Sequence, residues 1–188
     1  MPKADGTCET RLLATIEEKG SFDLSAFFAR LEAVPDWGKI VVAHIYLDHI
    51  LTETLRDVLP NAELYFQGHK SFSDKLNLCQ SHGCFAGEFG RVLAGINTSR
   101  NRFAHKLVFD VSDAEKTNLF RLLSESRPVS AVTEEGGFES FLIDVVVYAE
   151  YERIAFAKLQ DLDRQKSHLM KEAMELLSVE LRGPGIRK

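Results

Sequence analysis

The chain has 188 residues, 45% of them hydrophobic and 27% charged, which suits one domain with a sizeable core. Its net charge of −5 argues against a protein that coats duplex DNA through general charge, while leaving room for a local basic site. No uncharged apolar run approaches the ~18 residues of a membrane span, so no membrane partner is expected. The start, Met1 to Gly6, lacks the apolar core of a signal peptide and points to the cytoplasm.

Taken in chain order, the periodicity is helical almost throughout. Short helices fit Cys8–Glu18 and Leu24–Ala33. Ile40, His44, Leu47, Leu51, Leu55 and Val58 then recur every three or four residues between Pro35-Asp36 and Pro60, the pattern of a long amphipathic helix with a proline stop. Glu63 to Gly68 resembles a tag-protease site without its leading glutamate, and is expected to be a loop. A short helix over Ser73–Ser81 follows. The stripe Phe85, Phe89, Leu93, Ile96, Arg100, Phe103 and Leu107 marks a second long helix.

Ser112, with Glu115 three residues later, forms a capping box for a helix over Asp113–Ser124. Val129–Thr133 is strand-like, but one short strand has nothing to pair with and is expected to be a loop. A final helix runs from about Phe138 to Leu181 and is stopped by Gly183-Pro184-Gly185. It carries the seam Ala155, Leu159, Leu162, Lys166, Leu169, Ala173 and Leu176, spaced alternately four and three. Such a seam suits a dimer or partner interface, or ordinary packing within the chain. The expected architecture is a single all-α domain over 1–188: a helical bundle with long antiparallel helices and an extended C-terminal helix.

The three cysteines, Cys8, Cys79 and Cys84, are too few for a disulfide framework and are expected to be free thiols. Cys79, His82 and Cys84 lie close together but lack a fourth ligand, so neither a metal nor a cofactor is expected. No Gly-x-Ser-x-Gly and no phosphate-loop motif occurs.

The polar residues of the second long helix stand out. Arg100 occupies a place in its apolar stripe, and a buried cation needs a partner or a cleft. Asn97, Asn101 and His105 are spaced by four and stack along an adjacent face. From Phe89 through Phe109 there is no acidic residue, whereas Arg91, Arg100, Arg102 and Lys106 are basic. That makes an anion site, with Asn97, Arg102 and Lys106 as candidate substrate-binding residues. The bland alternative pairs Arg100 with Asp48 or Glu53 and leaves Arg102 and Lys106 as a solvated face. Arg91, nearly three turns earlier, is expected to face solvent.

Arg100-Asn101-Arg102-Phe103-Ala104-His105 resembles the Arg-x4–6-His signature of the HEPN superfamily, whose arginine is commonly followed by Asn, Asp or His. The bare pattern is expected about once by chance in this composition, and roughly 0.1 times with the extra residue. Together with Phe72 to Leu78, a Gly-containing break and Phe109-Asp110, the segment is similar to the mannitol-repressor (MltR-like) branch over about Ile40 to Leu123. It departs from that branch at His82 to Gly87, where a more aliphatic Leu-Gly-Leu-Ile stretch is expected. The resemblance implies an all-α ribonuclease fold whose dimers join two Arg–His sets across one cleft, as in many toxins and defence effectors.

Metal-independent RNA cleavage needs a base for the 2′-hydroxyl, an acid for the leaving 5′-oxygen and a cation for the developing phosphorane charge. Arg100, Asn101 and His105 are the candidate catalytic residues. His105 is the acid/base, Arg100 offers a planar fork to phosphate, and Asn101 orients the imidazole or holds a phosphate oxygen. One such histidine per chain implies a homodimer acting on RNA. His44 and His49 on the first long helix are competing partner histidines, although His44 lies on the apolar stripe. His69 and His168 receive no role. The alternative from a different class is a non-enzymatic MltR-like transcriptional regulator. It would work through a protein partner, just as a toxin would pair with an antitoxin.

Overall fold

In the computed structural model, residues 6–105, 111–126 and 137–181 are described, with side chains over 11–103, 111–125 and 137–175. The described residues form eight helices and no strand, an all-α bundle. The helices are α1 (Gly6–Lys19), α2 (Leu24–Glu32), α3 (Asp36–Val58), α4 (Ala62–Tyr65), α5 (Phe72–Ser81), α6 (Glu88–His105), α7 (Asp113–Ser126) and α8 (Gly137–Leu181).

The central element is α3, which packs on α8, α5, α6 and α2. Its apolar positions Ile40, Ala43, Leu47, Ile50, Leu51 and Leu55 are buried against Phe27 and Leu31 of α2, Val92, Leu93 and Ile96 of α6, and Leu142, Val145 and Val146 of α8 within one core. Each large aliphatic or aromatic side chain so removed from water contributes about 1.5–3 kcal/mol. Caps delimit the shorter helices. Asp23 accepts from the Ala26 backbone N–H at 3.0 Å. Ser71 and Asp74 form a full capping box at α5. The expected Ser112–Glu115 box is present at α7, where the Glu115 N–H donates to Ser112 Oγ at 3.4 Å and the Ser112 N–H to Glu115 Oε2 at 3.3 Å.

Two expectations are corrected. The segment 63–68 is not simply a loop: α4 begins at Ala62, and the partly buried Tyr65 and Phe66 pack against the core. Phe85 does not belong to the α6 helix. It precedes it in a left-handed conformation (φ 55°) while its ring is fully buried. Gln80 Nε2 caps its carbonyl at 3.2 Å, and Gly90 is the residue that permits this approach: a Cβ there would stand 2.0 Å from that nitrogen. Val129–Thr133 lies outside the described residues.

A buried ion cluster that escaped sequence reading pins α8 to the α1–α2 turn. Glu150, fully buried, accepts from the Ser21 backbone N–H at 2.5 Å and from Arg153 Nη2 at 2.7 Å. Arg153 also reaches Asp57 Oδ2 on α3 at 2.7 Å and the Lys19 carbonyl at 3.1 Å. Burial alone would lower the Arg153 pKa, but the bonds to Glu150 and Asp57 outweigh it and the net shift is upward. Ile154 and Phe156 still pack on the core and Arg164 Nη2 donates to the Asp57 carbonyl at 3.1 Å, but every residue from 161 to 175 is exposed. Ordinary packing within the chain therefore does not cover this part of the seam among the described residues: Leu162 and Leu169 are 51% and 64% exposed.

Candidate functional site

Helix α6 buries Val92, Leu93, Ile96, Ser99 and Phe103. The small Ser99 thus takes the inward place that apolar spacing assigns to Arg100, and Ser99 Oγ donates to Glu115 Oε1 at 3.2 Å. Arg100 is rotated to the flank and is half-buried. Its Nη1 donates to Asn101 Oδ1 at 3.1 Å, and it makes no ion pair with a described residue.

The pairing of Arg100 with Asp48 or Glu53 is overturned. Asp48 is taken by Lys75 of α5, whose Nζ lies 2.6 Å from Oδ2 and 3.1 Å from Thr52 Oγ1. Glu53 is taken by Arg56, one turn along the same helix, at 2.6 Å. Other cations hold both carboxylates, and Arg100 meets no carboxylate among the described residues.

Asn97 and Asn101 do share a face, as their spacing predicts. Asn101 Nδ2 donates to Asn97 Oδ1 at 3.4 Å. Asn97 Nδ2 donates to Ser73 Oγ of α5 at 3.2 Å. On its other side, Asn97 Oδ1 meets His44 Nε2 of α3 at 3.0 Å. The His44 ring stacks on Phe72 with centroids 4.6 Å apart and an interplanar angle of 27°. His44 is therefore neither an idle core residue nor an exposed base. Burial lowers its pKa most. The Asn97 bond works against that, Arg100 and Lys75 add to the lowering, and Asp48 opposes it, for a net downward shift.

The remaining predicted residues separate. Arg102 is ion-paired to Glu115, the capping residue of α7, which commits its charge to tying α6 to α7. Burial alone would raise the Glu115 pKa, but Arg102 and Ser112 more than reverse this and hold its carboxyl below the ordinary value. Arg91 faces solvent as expected and pairs with Glu88 at 2.8 Å. His105 ends α6, and its side chain, like the whole of Lys106, lies outside the described residues. His49 is engaged at the Ser21 carbonyl, 3.0 Å away, remote in sequence from the motif.

The cluster is thus Arg100, Asn101, Asn97, His44 and Ser73, with the part-buried Lys75–Asp48 pair contributing to the electrostatics of His44. Sequence reasoning missed Ser73 and Lys75. No local pattern pairs residues 24 and 27 positions apart, although both lie in the Phe72 to Leu78 stretch that carries part of the family resemblance. Among the described residues no group of three or more His, Cys, Asp or Glu is placed to hold a metal ion. Cys79 and Cys84 are buried free thiols, and burial pushes the Cys79 pKa up to about 12, far from the thiolate that metals bind. No described helix is long and apolar enough to cross a membrane.

An arginine fork whose remaining donors meet no described residue, flanked by neutral amides and a hydroxyl, can hold a phosphate oxygen pair. No protein-family model matches the chain, and no curated protein or solved structure is significantly similar to it.

Proposed function

We propose that the chain is a HEPN-like, metal-independent endoribonuclease that works as a homodimer. The observation that carries this reading is the state of Arg100. Arg102 and Arg153, the other described arginines that are not exposed, each meet a carboxylate, whereas Arg100 meets only an asparagine among the described residues; Arg11, Arg30 and Arg164 also lack a carboxylate but lie exposed. A half-buried guanidinium left without a carboxylate in an acidic protein suits an anionic ligand.

In this reading Arg100 binds two non-bridging oxygens of the scissile phosphate and stabilises the charge that develops on them. His105 of one chain removes the 2′-hydroxyl proton, and the same residue of the second chain protonates the leaving 5′-oxygen. His44 is a poor candidate for either proton transfer. It touches Asn97, eight residues before His105 and so about 12 Å away along the helix, and its Nε2 is engaged there. The unpaired apolar residues of α8 support self-association. The same exposed seam is what favours the second reading, a regulator that acts through a protein partner.

The test is RNA cleavage by purified protein in excess chelator. Product ends should be 2′,3′-cyclic phosphates, the mark of attack by the neighbouring hydroxyl. His105→Ala should abolish cleavage with little change in melting temperature. If the unmodified chain cuts no RNA and His105→Ala melts many degrees early, the motif is structural and the regulator takes first place.

A further inference from the structure

We infer that His44 is a positioning residue for Arg100, acting through a directed chain of hydrogen bonds across Asn97 and Asn101. The inference rests on the nuclease reading for its purpose, but its geometry stands apart from it.

The direction of every link follows from one chemical fact: a guanidinium can only donate. Arg100 Nη1 lies 3.1 Å from an oxygen of the Asn101 amide, so Asn101 must turn its carbonyl oxygen to the arginine. Its NH2 group then faces Asn97 at 3.4 Å and must find an acceptor there, which fixes Oδ1 of Asn97 on that side. The NH2 of Asn97 consequently points to Ser73 Oγ at 3.2 Å. Asn97 Oδ1 is now an acceptor facing His44 Nε2 at 3.0 Å, so that nitrogen must carry a hydrogen. Both lone pairs of Asn97 Oδ1 are filled, one by α3 and one by α6.

The consequence is mechanical. Asn97 cannot flip without breaking its bonds to His44 and Asn101 together, since the Ser73 hydroxyl alone could serve either end of the amide. Asn101 is exposed and would otherwise rotate freely, yet it is held with its oxygen towards Arg100. Among the described residues only one of the five guanidinium N–H groups is used in this way, and the rest of the planar fork meets no described partner. His44 itself is clamped by the Phe72 ring, so the chain starts from a rigid point in the core and ends at the candidate phosphate ligand. The downward shift of the His44 pKa agrees with a neutral ring, and the acceptor facing Nε2 places its proton there.

Two substitutions isolate the donor. His44→Phe keeps a ring to stack on Phe72 and removes the N–H. His44→Gln places an amide nitrogen the same number of bonds from Cα and restores it. In the free protein, nitrogen NMR should find His44 as the Nε2–H tautomer and slow rotation of the Arg100 guanidinium. His44→Phe should abolish the slow rotation and His44→Gln should recover it. With a non-cleavable 2′-O-methyl oligonucleotide, His44→Phe should weaken binding about fivefold to tenfold, His44→Gln should come within about twofold, and His44→Phe should have no effect in an Arg100→Ala background.

An Nδ1–H tautomer in the unmodified chain overturns the inference even if His44→Phe does not fold. So does an equal loss of binding with and without Arg100. If the tautomer and guanidinium results hold while no oligonucleotide binds, the relay stands and the nuclease reading falls.

Discussion

Replacing Arg100 by alanine tests the site against a control that the same fold supplies in Arg153. Arg100 gives up a single described hydrogen bond, the exposed one to Asn101 at 3.1 Å, and leaves no described carboxylate stranded. The loss of stability is therefore about 0.5–1.5 kcal/mol, a fall in melting temperature of no more than about 5 °C for a chain of this length. Arg153 is the opposite case: its side chain is 10% exposed, and it neutralises a Glu150 side chain that is 0% exposed. Arg153→Ala leaves that carboxylate buried beside Ser21 without a cation, at a cost of about 3–5 kcal/mol and about 10 °C. For binding the order reverses. Charge-assisted bonds to phosphate are worth about 1.5–3 kcal/mol, so Arg100→Ala should weaken oligonucleotide affinity roughly 10- to 150-fold. It should also lower the salt slope by about 1. Calorimetry and fluorescence anisotropy on the two variants measure both quantities. If Arg100→Ala melts as early as Arg153→Ala, or binds RNA as tightly as the unmodified chain, Arg100 is a structural residue and the site reasoning fails.

The seam of α8 should mediate self-association: Leu162→Glu combined with Leu169→Glu should convert a concentration-dependent dimer to monomer in sedimentation while changing the melting temperature by only a few degrees, because both side chains already face solvent. A dimer unaffected by the pair would put the interface elsewhere, and a monomer at every concentration in the unmodified chain would remove it altogether. A pH dependence follows from His44. Its folded pKa lies below the ordinary 6.5, so the unfolded chain binds more protons, and stability should fall as pH drops through about 6.5 towards the folded value. His44→Phe should flatten that part of the curve in denaturant titrations between pH 7 and 5; an unchanged slope would show that the histidine titrates alike in both states.

Much of the fold was legible in the sequence because helices are local objects. The Pro35-Asp36 entry and Pro60 stop bracketed α3, the Ser112–Glu115 box marked the start of α7, and the 3.6-residue recurrence of apolar side chains identified the long helices. The four-spacing of Asn97 and Asn101 likewise put them on one face, where they bond to each other. All of these depend on residues within a turn or two of one another.

What only the tertiary structure decided is which side chain meets which across helices. Periodicity put Arg100 on the buried stripe, but packing against α7 turned Ser99 inward and left Arg100 on the flank. Lys75, far away in sequence, won Asp48 from it by standing closer. His44 found Asn97 across 53 residues of chain, and the Glu150–Arg153 lock closed on Ser21 across 129. Charges and amides choose partners by distance and burial once the helices have docked. That choice depends on the rotation of each helix about its axis, a quantity set by the shapes of all its neighbours together and written in no single stretch of sequence.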